Sequence, residues 1–257
     1  MLVINWRFAI PFTLIIYFLI ILFLPFSTIY ATFFLFLLIA FWSRLPGVGI
    51  PHPFFLIYCM DLVDVFTVII AINLSGVEAA IFSLLANLLS RSVGVFPPWS
   101  AVMSDSMSMA VTSLLIPFIH VLFGGNILIT ITVFTLVRAL LWVPFDMLTS
   151  YFWKAGIVQY VIEMLISITA LIFINGFYAG IFGGFFDALL KGSLSFSWPL
   201  FIFASLVIGL AYTLTWKKSD SSLLKNVGKR LLAKKKAIPK HNHFVTNSKD
   251  AFEKVYK

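Results

Sequence analysis

Cysteine is almost missing from this chain. Cys59 is the single one in 257 residues, so no internal disulfide can staple the fold, and its place in an apolar run makes it a small buried side chain. Charge is scarce too, at 11% of residues, and acids are scarcest: ten Asp and Glu against 18 Lys and Arg. With 61% hydrophobic side chains, there is too little polar surface to cover a soluble globule. No long hydrophilic segment interrupts residues 1–215, which excludes a separate soluble domain there. The apolar runs are continuous and do not alternate, which argues against a β-barrel.

Catalytic and metal-binding patterns are missing as well. There is no HExxH, phosphate-binding glycine loop or nucleophile elbow. The "DLVD" at 61–64 lacks the glycine and second aspartate pair of a membrane phosphatidyltransferase, and "PFD" at 144–146 lacks the partner of an intramembrane aspartyl protease. His120 stands alone in an apolar run, and "HNH" at 241–243 is at best an adventitious metal binder. The expectation is a non-enzyme with no cofactor and no resident metal.

What is present is a series of apolar runs: 8–26, 28–43, 54–74, 77–92, 101–124, 126–145, 156–175, a short 177–190, and 197–215. Most have the ~20-residue length that crosses a ~30 Å hydrocarbon core. Turns are marked by Pro25, Pro46-Gly47, Pro51, Pro53, Pro97-Pro98, Gly124-Gly125 and Pro144. No small-residue cleavage site follows the first run, so it reads as a retained helix. The expected fold is all-α: a polytopic transmembrane helical bundle of about eight spans plus a short re-entrant glycine-rich helix. Two domains follow, a transmembrane domain at 1–215 and a basic cytoplasmic tail at 216–257.

Twelve of the 18 Lys and Arg follow Trp216. Beside a last span, such a tail marks the cytoplasmic side and anionic lipid headgroups, and argues against nucleic acid. Within it Leu223, Leu224, Val227, Leu231 and Leu232 form one apolar stripe opposite lysines, the pattern of an interfacial helix. With the tail inside and 177–190 not crossing, Arg7, Arg44, Arg91 and Lys154 all fall on the cytoplasmic side. A ninth span would push Arg44, Arg91 and Lys154 outside. The expectation is therefore a multi-pass protein of the cell membrane with both termini cytoplasmic.

Residues 72–99 and 172–199 align without gaps at an offset of 100, with Ile72/Ile172, Gly76/Gly176, Ala79/Ala179, Phe82/Phe182 and Leu89/Leu189 among the identities. Internal duplication is one reading and chance in a biased composition the other. A duplication would make both segments re-entrant and leave seven spans in inverted repeats. In the second copy Gly176, Gly180 and Gly184 recur every four residues and share a helix face, suited to close helix packing or to a re-entrant passage ending at Asp187.

Charges at membrane depth are costly and so are candidates for function. Asp61 and Asp64 share one face of the third run at i, i+3. Arg138 and Glu163 lie at equal depth on neighbouring runs and are expected to pair. Together Asp61, Asp64, Arg138 and Glu163 form a candidate substrate or ion path. On the fifth run Ser104, Ser108 and Thr112 share a face, with Asp105 or Ser106 expected to cap the helix start; the hydroxyls are expected to bond their own backbone.

The segments 77–94 and 177–195, above all "GFYAGIFGGFFDALLKGS", resemble the glycine-rich helix of MreD-type rod-shape-determining membrane proteins. They are similar also to the S components of energy-coupling-factor vitamin transporters. Both families have fewer spans than expected here, and no binding residue carries over. The resemblance implies either binding or transport of a small-molecule solute, or a non-transporting scaffold that recruits membrane-protein partners in cell-envelope morphogenesis.

Overall fold

A computed structural model of the chain describes residues 6–49, 62–92, 99–148 and 157–213. All of these lie in the first of two compact units, Met1–Ser219; the second, Asp220–Lys257, and with it the basic tail, is outside the described residues. The described residues form eight α-helices and no strand: α1 Trp6–Phe23, α2 Thr28–Gly49, α3 Val63–Asn73, α4 Gly76–Ser92, α5 Trp99–Leu122, α6 Ile127–Leu148, α7 Ile157–Leu190 and α8 Trp198–Thr213. Four segments are long and apolar enough to cross a membrane: Trp6–Phe23, Val102–Leu122, Ile127–Leu148 and Tyr160–Leu190. Thr28–Arg44, Val63–Asn73 and Trp198–Thr213 are shorter and apolar.

Successive helices run in opposite directions. At one end of the bundle the connections are short, and each following helix starts on a side-chain cap. Ser27 accepts from the Tyr30 amide, Ser75 from Val77 and Glu78, Asn126 from Leu128 and Ile129, and Ser197 from Leu200. Each cap satisfies amides that the first helical turn would leave without a partner. Gly124 and Gly125, at φ +68 and +76, let α5 stop and reverse there.

At the opposite end, contacts join the helix ends. The Leu62 amide donates to Ser43 Oγ at 3.2 Å, Arg91 on α4 reaches Asp105 on α5, and Tyr160 on α7 reaches Asp146 on α6. The Trp6 ring lies 5.0 Å from Tyr212 and 5.6 Å from Trp42. The start of α1 and the end of α8 therefore share this end, called here the terminal end; the other is the cap end.

Large apolar side chains cover the surface of the bundle, and polar ones lie within an otherwise apolar core. Phe18, Phe118, Val121, Phe173 and Leu206 are among many large apolar side chains on the surface, whereas Thr67, Asn87, Ser108, Thr112, Arg138 and Asn175 are buried. Buried hydroxyls mostly close onto their own helix, as Thr67 does to the Val63 carbonyl and Thr112 to the Ser108 carbonyl. An apolar exterior around buried polar side chains that mostly bond one another or their own helix suits hydrocarbon as the surrounding solvent.

Several expectations change. Residues 157–190 form one continuous helix of 34 residues, about 50 Å long at 1.5 Å per residue, so the glycine-rich segment is no separate re-entrant element. Nothing at Asn175-Gly176 breaks the hydrogen-bond ladder, because glycine lowers helix propensity without removing an amide. Pro144 lies inside α6, and α2 runs through Pro46-Gly47 to Gly49; a helix gives up single backbone bonds at proline without ending when its neighbours pack around it.

The aligned segments also differ. Gly76 opens α4 after a turn, whereas Gly176 is mid-helix. A Cβ at Gly76 would meet Leu114 Cα at 2.9 Å and the Ser113 carbonyl at 3.0 Å, whereas at Gly176 and Gly184 it would meet nothing within 4 Å. At Gly180 it would meet only the Leu128 side chain, at 4.0 Å. The close helix approach expected of the glycine face is made instead by Gly76, against α5. On α7 it is Ala179 and Gly183 that turn inward, Gly183 toward Ile127.

Candidate functional site

The charged residues of five helices meet in the terminal half of the bundle. Arg138, near the middle of α6, reaches Asp64 at the start of α3 with one guanidinium nitrogen and Asp105 on α5 with another. It lies over the Trp142 ring one turn further on, 5.2 Å from the centroid, a cation–π contact that helps hold the guanidinium in place. Arg44 from α2 donates to Asp105 at 2.7 Å, and Arg91 from α4 reaches the same oxygen at 3.3 Å. One carboxylate thus takes three guanidinium groups from three helices.

Asp105 was expected to cap a helix start. It lies instead inside α5, which begins at Trp99, and is the hub of the network. The sequence signal was present, since an acid one residue from a buried serine face must itself turn partly inward.

The network extends deeper through an amide. Asn175 on α7 donates to Asp64 at 2.8 Å and, more weakly, to Thr135 Oγ1 at 3.4 Å. Its Oδ1 is buried without a hydrogen-bond partner, and so is the Ser106 hydroxyl beside the hub. Toward the terminal end, Asp146 accepts from Ser104 on α5 and from Tyr160 Oη on α7, the latter at 2.7 Å. Contacts therefore lead from Tyr160 through Asp146 to Ser104, whose neighbour Asp105 leads through Arg138 and Asp64 to Asn175.

Of the expected path residues, the structure brings Asp64 and Arg138 together. Asp61 lies outside the described residues. Glu163 falls on α7, but its side chain, and with it the expected Arg138–Glu163 pair, lies outside the described residues. Asp105, Asp146, Asn175, Arg44 and Arg91 are the members that reading by depth missed. Arg44 and Arg91 were taken only as topology markers, and an uncharged asparagine gives no depth signal. Ser108 and Thr112 bond their own backbone as expected.

Asp187 is far from this centre. It accepts from Asn73 at 2.8 Å and pairs with Lys191 at 2.6 Å at the cap end. His120 is not isolated: its Nδ1 is 2.9 Å from Thr130 Oγ1, which already donates to the Asn126 carbonyl, so the ring nitrogen is the donor. Among the described residues no group of His, Cys, Asp and Glu could hold a metal ion.

No family model, curated protein or solved structure matches this chain.

Proposed function

We propose that this chain is a multi-pass membrane protein that holds a small polar solute at the buried charged centre, as a binding or transport protein and not an enzyme. The observation that supports this is the pair of unspent polar atoms beside the centre, Asn175 Oδ1 and Ser106 Oγ. Burying such a group without a partner costs roughly 1–3 kcal/mol, a cost that a solute or its water would remove. In this reading the eight helices are eight crossings, both termini are cytoplasmic in the cell membrane, and the basic tail lies against anionic headgroups.

The test is mass spectrometry of small molecules retained by the protein in lipid nanodiscs. A discrete solute is expected with the parent protein and is lost in Asn175→Leu, which removes the free carbonyl and keeps a similar volume. If both proteins are folded and neither retains anything, the binding reading fails. A second reading then gains, a non-transporting scaffold of the MreD kind. It is favoured by one observation: the described carboxylates of the hub, Asp64 and Asp105, are both matched by arginine, as in a lock that fixes helix packing.

A further inference from the structure

We propose that the polar centre is entered only from the terminal end of the bundle, and that a cluster of phenylalanines seals it from the cap end. The inference deepens the solute-binding reading, in that it names the side of access, but its geometry stands without any solute.

The first observation is graded exposure. Among the charged members, side-chain exposure falls from 18% at Arg91 and 12% at Asp105 to 4% at Arg138. That order is also the order from the terminal end inward: Arg91 is at the last turn of α4, Asp105 in the second turn of α5, and Arg138 mid-way along α6. The charged contacts are thus least enclosed toward the terminal end, and the file of polar contacts leads inward to Asn175 and Thr135.

The second observation is what lies beyond it. Phe36 and Phe66 stack at 4.3 Å with their planes 12° apart, and Phe186 packs edge-on against both, at 5.3 and 4.9 Å. Phe82 closes on Phe66 at 6.4 Å. These rings come from α2, α3, α7 and α4, and Phe36, Phe66 and Phe82 are fully buried. On each of the four helices the phenylalanine lies on the cap side of that helix's polar residue: Phe36 relative to Arg44, Phe66 relative to Asp64, Phe82 relative to Arg91, Phe186 relative to Asn175. Beyond the rings polar contacts resume, with Asn73, Asp187 and Lys191. Stacked aromatic rings packed at interior density leave no room for water and offer no hydrogen-bonding atom. A hydrated ion or solute would therefore stop at this layer.

The arrangement makes a directional prediction for a charged, membrane-impermeant methanethiosulfonate, in a Cys59→Ser background. Ser104→Cys and Thr135→Cys report on the file, Lys191→Cys marks the cap side, and Tyr212→Cys at the end of α8 marks the terminal side. Ser104→Cys is expected to react only in vesicles whose terminal side faces the reagent, and Thr135→Cys to react more slowly with the same sidedness. Adding Phe66→Ala to Thr135→Cys should open a second route, with labelling from the cap side. Phe66→Leu should not, since it keeps an apolar filler.

Labelling of Thr135→Cys from the cap side with the rings intact would overturn the seal. So would its absence from the cap side after Phe66→Ala and Phe186→Ala together, in protein whose Ser104→Cys still labels normally. Failure of Ser104→Cys to react from the terminal side would overturn the entry. A scaffold with this geometry would show the same labelling and retain no solute, so the access and binding readings fail separately.

Discussion

Arg138 illustrates how unequal the members of a charged network are. Its guanidinium connects Asp64 to Asp105, both nearly buried, and removing one partner of a buried pair strands the other at a cost of about 3–5 kcal/mol. Arg138→Gln is expected to lower stability by that amount, read as the shift in the SDS fraction at half-unfolding. Arg91→Gln should cost less than about 1 kcal/mol, because it is the most exposed of the three arginines on Asp105, which keeps Arg44 and Arg138. Equal losses for the two variants would dismiss Arg138 as the bridge. Asp187→Asn should have a small effect, since its lysine is more than half exposed.

The interfaces between helices rest on close backbone approach at one position and on ordinary side-chain contact at others. Gly76, in the first turn of α4, faces the α5 backbone at Leu114 and Ser113. Backbone cannot step aside as a side-chain tip can, so Gly76→Ala should destabilise the protein by about 1–3 kcal/mol. Gly180→Ala meets only Leu128 at 4.0 Å and should be neutral, or gain up to about 1 kcal/mol from helix propensity. Thermal aggregation midpoints in detergent compare the two. A larger loss at Gly180 than at Gly76 would place a second molecule or lipid against the α7 glycine face and refute the assignment.

Across the described residues, alternating directions through eight helices bring the end of α8 back to the end where α1 starts, as the Trp6–Tyr212 contact records. Trp6→Cys and Tyr212→Cys in the Cys59→Ser background should be joined by a short bis-maleimide, and reporters at the two termini should signal the same compartment. Opposite compartments would require an odd number of crossings and defeat the eight-crossing reading. The same end holds Arg44, Arg91 and Asp105, so two arginines expected from the sequence to mark one side of the membrane also build the polar centre.

The sequence alone determined the class and much of the frame, because both follow from local chemistry. Continuous apolar length dictated helices, scarce charge dictated an apolar exterior, and Gly124-Gly125 marked a turn that the structure keeps. Even the choice of Asp64 and Arg138 as interior charges was legible, since each sits where an ion is costly. Tertiary structure alone decided the partners. Which carboxylate an arginine meets depends on how helices distant in sequence are turned about their axes, and one step of rotation moves a side chain by about 100°. Thus Asp105 became the hub and not a cap, and Asn175, carrying no charge to mark it, joined Asp64 across 111 residues. Glycine spacing was equally uninformative about packing. A repeat of four places small residues on one face of a helix, and only the packed bundle determines whether that face meets backbone, as at Gly76, or open surroundings, as at Gly184.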